Sequence, residues 1–168
     1  MFVIFDRMNT TYLLLGGNIG DSLQVFQQCE KQLSKDIGEV SLKSSYYESE
    51  PWGFDHHSKF VNQVLKVSTL LNPIQLLEKC QLIETHFGRQ RNSEVGYQAR
   101  VIDIDVLFFN DLVLDEKELQ IPHPRLHLRK FTLLPFDEIN STFIHPKLNQ
   151  SIRKLLSDCS DKSEVIRI

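Results

Sequence analysis

The sequence predicts a single α+β domain. Short apolar runs bounded by Gly, Asn and Asp mark strands, and two longer segments with apolar residues at three- to four-residue steps mark helices. Over residues 11–111 these alternate as strand, helix, strand, strand, helix, strand. The 168 residues suit one compact domain, and 41% hydrophobic with 24% charged residues suits an ordinary globular core.

Residues 11–16, TYLLLG, read as a buried strand running into the small-residue turn GGNIG, with Asp21 or Ser22 as the N-cap of a helix. Leu23, Phe26, Cys29, Leu33 and Ile37 form that helix's apolar face, and Gly38 stands where a C-terminal stop belongs. Residues 40–48 tend to alternate and carry Ser and Tyr, which suit a second strand. Pro51, Trp52 and Gly53 open the polar loop EPWGFDHHSK before a third strand at residues 60–70. Asn72 then caps a second helix, with Pro73 at its first position, where a missing N–H does no harm. Its expected buried stripe is Ile74, Leu77, Cys80, Ile83 and Phe87, ended by Gly88. A basic loop, RQRNSEVGYQAR, leads into the apolar strand VIDIDVLFF, closed by Asn110 and Asp111. This order is the ferredoxin-like βαββαβ arrangement, a four-stranded antiparallel sheet with two helices on one face. The rest adds a C-terminal hairpin, a Pro- and His-containing loop and short helices at residues 131–139 and 150–156. Residues 10–168 form the domain, and residues 1–9 are expected to extend outside the core.

Composition removes several function classes. Apolar runs such as residues 12–15 and 106–109 fall far short of the roughly 20 residues of a membrane helix. Residues 1–5 are apolar but lack a basic flank or a small-residue cleavage site before Asp6, so secretion is not expected, and Met8 is an alternative start. Cys29, Cys80 and Cys159 form an odd, widely spaced set without CxxC, which points to reduced structural thiols and a cytoplasmic protein. A balance of 19 basic and 22 acidic residues argues against a nucleic-acid coat, so any anion site is local.

Asp103 and Asp105 lie two residues apart on a predicted strand, so both project from one face while Ile102 and Ile104 project from the other. About 7 Å apart at an effective dielectric of about 20, they repel by about 2 kcal/mol, which solvent on an exposed face would absorb. Because the strand continues as VLFF, a buried position is indicated, and magnesium is the better account of two facing hard oxygen donors.

The loop before that strand carries Arg89, Arg91 and Arg100, and Arg125, Arg129 and Lys130 come after it. Guanidinium groups bind phosphate oxygens in a planar, bidentate way, so basic loops beside an acidic metal strand suit a polyphosphate. Alone, such a loop reads as solvated. Strand parity puts Arg100 opposite the aspartates unless the regular strand begins after it. His123 sits in the stiff segment PHP at residues 122–124, where a lone histidine is usually structural. His56 and His57 read as solvated, and His127 and His145 receive no role. Phe60 and Asn62 share a strand face, an aromatic plane beside a donor and acceptor that suits a flat heterocycle; Phe60 in the core with Asn62 at an edge is the equal alternative. P-loop and kinase signatures are missing from the sequence, so a nucleotide user here is of another type.

Taken in order, LLLGGNIGD, EPWG, FVNQV, IETHFGRQR, ARVIDIDVLFF, IPHPR and RKFTLLPFDEI resemble the 6-hydroxymethyl-7,8-dihydropterin pyrophosphokinase family over residues 12–146. The resemblance implies an ATP-dependent diphosphotransferase of folate biosynthesis that uses two magnesium ions, moves pyrophosphate onto a pterin alcohol and releases AMP. It implies that Asp103 and Asp105 hold the metals and that Arg89, Arg91, Arg100, His123 and Arg129 attend the triphosphate. Arg89, Arg91, Arg100 and the two aspartates would be the catalytic set. Phe60 and Phe131 would stack on the pterin, with Asn62 on its edge and Trp52 and Tyr97 in the loops around it. Gln81 and Glu84, three apart on a helix, match positions lining the nucleotide site.

The chain departs from the family's WGPR-like segment in having Tyr97, Gln98, Ala99 and Arg100, with Gly96 where some members have arginine. This leaves one rival of the same fold, an inactive module binding a nucleotide or other small molecule. An RNA binder fits less well, because FVNQVLKV lacks the aromatic motif such sheets use. The expected partners are ATP and the pterin, with no nucleic acid, no membrane and a monomeric chain.

Overall fold

The strand β1 (Asn9–Gly17) organises the sheet, pairing antiparallel with β4 (Phe60–Thr69) on one side and β5 (Asp103–Phe109) on the other. The computed structural model describes residues 8–53, 57–89 and 99–168. A short turn carries β1 into α1 (Ser22–Asp36), where Asp21 is the N-cap and its Oδ1 accepts from the Gln24 N–H at 3.0 Å.

Among the described residues the sheet has six strands rather than the expected four. The expected second strand divides into β2 (Gly38–Lys43) and β3 (Tyr47–Ser49), which pair with successive lengths of β4. Ser44 makes the break. Its N–H donates to the Val64 carbonyl at 2.9 Å, and its hydroxyl accepts from the Val64 N–H at 3.0 Å, taking the place of a strand carbonyl. A further strand, β8 (Val165–Arg167), adds to the far edge of β3 and has no counterpart in the expected arrangement. The order across the sheet is β5, β1, β4, β3, β8, with β2 also on β4.

Helices cover both faces of this sheet. On one, α1 and α2 (Pro73–His86) pack Phe26, Cys29, Leu33, Leu76, Cys80 and Ile83 on Leu13, Leu15, Leu65 and Val67. Asn72 and Gln75 cap α2 reciprocally at 2.9 and 3.0 Å. The buried stripe of α2 is Leu76, Cys80, Ile83 and Glu84, while Ile74 is exposed and Leu77 and Phe87 are half-buried. Ile74 lies about 200° round the helix from Leu76, so it cannot share the face that the period of 3.6 turns to the sheet. On the other face, α3 (Lys130–Asn140) and α4 (Ile152–Asp158) bury Leu133, Phe136 and Ile152 against Tyr12, Leu14, Val64 and Phe108. A hairpin of β6 (Leu114–Asp115) and β7 (Gln120–Ile121) precedes a cis Ile121–Pro122 bond and a 3-10 turn, Leu126–Leu128. The cysteines are free and buried, and among the described residues no helix is long and apolar enough to cross a membrane.

The C-terminal end of β1 brings three stretches of chain together. Gly16 pairs with Asn62 on one side and Asp103 on the other. Asn18 donates its N–H to the Arg100 carbonyl at 2.9 Å and accepts from the Arg100 N–H through Oδ1 at 2.8 Å. Between them, a Cβ on Gly17 would come 2.4 Å from the Val101 carbonyl oxygen. Gly17→Ala must therefore push two backbones apart, and we expect it to cost about 1–3 kcal/mol of stability in urea unfolding. Unchanged stability would contradict the close approach.

Candidate active site

The floor of the site is one patch of sheet face. Alternate residues of adjacent strands supply it: Asp103 and Asp105 from β5, Leu14 and Gly16 from β1, Phe60 and Asn62 from β4, and Ser49 from β3. Ile104 and Val106 on the opposite face of β5, and Ile102 just before it, enter the core under α1 and α2, which holds the aspartates outward. A cleft of about 550 Å³ rises from this floor. Around it stand Arg89 and Arg100, both bonded to Asp103, together with Glu50, Trp52, His123, Arg125, Arg129 and Phe131.

Strand parity does not constrain Arg100, because β5 begins at Asp103. Its Nη1 donates to Asp103 Oδ2, and Arg89 Nη1 donates to Asp103 Oδ1 and to Glu84 Oε1. The same Glu84 oxygen accepts from the Ile104 N–H at 2.8 Å. Asp105 has looser company, with Arg129 Nη1 at 3.7 Å and His123 Nε2 at 3.9 Å from its Oδ2. His123 Nδ1 accepts from the Arg125 N–H at 3.2 Å, so the neutral ring carries its hydrogen on Nε2, toward Asp105.

The same cleft also carries aromatic and amide groups. Trp52 and Phe131 meet edge to face with centroids 6.5 Å apart, and the Arg129 guanidinium lies 4.9 Å from the first ring and 5.5 Å from the second. Asn62 is 2% exposed, and its Nδ2 donates to Ser49 Oγ at 2.9 Å.

Burial, then the neighbouring Asp103 charge, pushes the Asp105 carboxyl up to about 7 against the pull of Arg129. Burial and Asp103 likewise raise Glu84, while Arg89 and the Ile104 N–H oppose them. Burial first, then Arg129 and Arg125, pushes His123 down to about 4, so it is neutral near pH 7. Two facing carboxylates, one of them driven toward its neutral form, fit a hard divalent cation that takes one or two carboxylates and completes its shell from water and ligand oxygens. Among the described residues there is no cluster of three or more His, Cys, Asp or Glu suited to a metal, so such a cation would have no closed protein cage.

Of the residues singled out from sequence, Trp52, Phe60, Asn62, Arg89, Arg100, Asp103, Asp105, His123, Arg129 and Phe131 line one cleft. Glu84 is buried behind it, bonded to Arg89, and Gln81 is half-buried on α2 away from the lining. Arg91, Gly96, Tyr97 and Gln98 lie outside the described residues. Gly16, Ser49 and Glu50 join the lining without a signal in the sequence pattern, and Arg125 stood out there only as part of a basic cluster. Ser49 was legible only through its pairing with Phe60, which is a matter of register.

A family model described as 7,8-dihydro-6-hydroxymethylpterin-pyrophosphokinase matches residues 12–141. The 2-amino-4-hydroxy-6-hydroxymethyldihydropteridine pyrophosphokinase of Aquifex aeolicus is 37% identical over 147 residues, 88% of this chain and 90% of that protein. That of Bacillus subtilis is 39% identical over 132 residues, 78% of each. The solved wild-type Plasmodium falciparum HPPK-DHPS with pteroate shares the fold, with a TM-score of 0.75 at 18% identity over 90% of this chain. This chain spans 44% of that one.

The charges predict a pH dependence. His123, and His145 through its own burial, fall to about 4, so the stability they contribute above their ordinary 6.5 is lost as pH drops through that window. Asp105 works in the opposite sense: raised to about 7, it favours the folded state in acid and loses that contribution as pH rises from its ordinary 3.8 to 7. Asp105→Asn should therefore steepen the loss of stability between about pH 6.5 and about pH 4.5 in urea unfolding. A shallower loss would contradict the raised carboxyl.

Proposed function

The chain belongs to the 7,8-dihydro-6-hydroxymethylpterin-pyrophosphokinase family, and from that premise we propose how its cleft divides the work of the reaction. The enzyme transfers pyrophosphate from ATP to the hydroxymethyl group of 6-hydroxymethyl-7,8-dihydropterin, giving AMP and the pterin diphosphate used in folate biosynthesis. The inactive-module reading is not favoured. The observation that carries our assignment of roles is the convergence of Asp103, Asp105 and four arginines beside an aromatic and amide wall.

In this reading Arg89, Arg100, Arg125 and Arg129 receive the triphosphate, and His123 donates to it through Nε2–H. Their charge offsets that of the phosphates and leaves the β-phosphorus open to attack from the pterin side. The pterin lies between Phe60 and Phe131. Asn62, held by Ser49, offers its Oδ1 and remaining amide hydrogen to the ring edge, which orients the hydroxymethyl group toward the phosphate chain. The pterin oxygen forms a bond to the β-phosphorus in line as the bond to the bridging α–β oxygen breaks, AMP departs, and the hydroxyl proton passes to solvent. No covalent enzyme intermediate is needed. Asp103 and Asp105 would hold magnesium, two ions by the family resemblance, whose charge when bound polarises the phosphate oxygens.

Arg91 and Tyr97 keep the nucleotide and pterin roles that the resemblance gives them. Gln81 is kept as a nucleotide neighbour, and Glu84 acts through Arg89. We read the core as ferredoxin-like with β8 added, and the buried free cysteines as suited to the reducing cytoplasm.

AMP formation should require both magnesium and the pterin, and Asp103→Ala or Asp105→Ala should lower kcat by at least about a hundredfold with the circular dichroism unchanged. Normal turnover in either variant would reject the metal assignment. Trp52 is the single tryptophan, so its fluorescence should change on addition of the pterin. Phe131→Ala should weaken that response by about tenfold in Kd, the scale of a lost aromatic contact, while leaving binding of an ATP analogue alone intact. Equal loss of both ligands would contradict the division of the cleft.

A further inference from the structure

The two members of the acidic pair are in different states. Asp103 has both oxygens engaged, Oδ1 by Arg89 and Oδ2 by Arg100. The three side chains are enclosed, with 21% of Asp103, 23% of Arg89 and 18% of Arg100 exposed. The Asp105 side chain makes no hydrogen bond among the described residues, and its two nearest partners, Arg129 and the neutral His123, stand off at 3.7 and 3.9 Å. One carboxylate is closed by guanidinium groups, and the other is open.

A cation approaching Asp103 meets two positive groups and oxygens that each already accept a charged hydrogen bond. A phosphate approaching Arg89 and Arg100 meets donors already committed to a carboxylate. Either ligand alone must break the same ion pairs. Together they exchange partners, because the phosphate takes the guanidinium groups and the cation takes the carboxylate. Resting on the nucleotide and metal reading of this cleft, we infer that Arg89 and Arg100 clasp Asp103 in the ligand-free protein and are traded to the triphosphate, so that the Asp103 metal position opens only with nucleotide.

The surroundings suit a short swing. Arg89 also bonds Glu84, which is 2% exposed and fixed to the Ile104 N–H at 2.8 Å, so it stays tethered when it leaves Asp103. The Arg100 backbone is held to Asn18 at 2.9 and 2.8 Å. Both guanidinium groups change partner without their anchors moving. Linkage makes the effect reciprocal: the factor by which triphosphate improves cation binding is the factor by which the cation improves triphosphate binding.

Calorimetry on the full chain tests the clasp with each ligand separately: Mn2+ without nucleotide, and inorganic tripolyphosphate in EDTA. Arg100→Gln should bind Mn2+ about tenfold more tightly than the unsubstituted chain, and Asp103→Asn should bind tripolyphosphate about tenfold more tightly, within the usual range of coupling factors. Arg89→Gln serves for the first arm if Arg100→Gln does not fold. Measured at about pH 8.5, where the Asp105 carboxyl is ionised, Asp105→Asn makes the same change of charge two residues away without releasing an arginine, so its gain for tripolyphosphate should be at most about a third of that of Asp103→Asn. Equal gains in the two aspartate variants, or weaker binding in Arg100→Gln, would overturn the clasp. Failure of the unsubstituted chain to bind Mn2+ even with an ATP analogue would instead remove the nucleotide and metal reading, and the clasp with it.

Discussion

Two carboxylates on one face of a strand, half enclosed by protein, need cations close by, and four guanidinium groups from three stretches of chain line the same cleft here. Arg89 comes after α2, Arg100 precedes β5, and Arg125 and Arg129 flank the 3-10 turn. Each stretch arrives by a different route, so the site exists only when the sheet is assembled. The raised carboxyl of Asp105 and the neutral His123 are consequences of that crowding, since burial and like charge both disfavour the ionised forms.

The backbone that makes the crowding achievable is small and local. Gly16 sits in the middle of the floor, with Asn62 and Asp103 as its partners on either side, and adds no side chain that would fill the cleft. Gly17 lets the segment before β5 run against β1, and Asn18 locks that segment through both of its Arg100 bonds. The helix pair α3 and α4 covers the hydrophobic part of the same sheet face, leaving the polar end open to ligands. Packing and site are thus two ends of one surface.

Much of this was legible because it is periodic. The step Phe26, Cys29 and Leu33 of α1, the N-cap Asn72 followed by Pro73, and the two-residue step of Asp103 and Asp105 are local patterns that survive folding, although Leu23, expected on the same face of α1, is exposed. What escaped was non-local. Ser44 imitates a strand carbonyl with its hydroxyl, so the break between β2 and β3 leaves no mark on the alternation of residues 40–48. Ser49 enters the site only through its register with Phe60, and β8 is three residues long with no turn signal of its own. Ile74 misleads because apolar character says nothing of its phase on the helix. Glu84, which spacing and family likeness put among the nucleotide-site positions, is buried and bonded to Arg89.

The most direct test of this division of charge is anomalous scattering from crystals grown with Mn2+ and a nonhydrolysable ATP analogue. Manganese should be bound by carboxylate oxygens of Asp103 and Asp105, with Arg89 and Arg100 on phosphate oxygens. Manganese elsewhere, or Asp103 still bonded to both arginines with the analogue in the cleft, would contradict it.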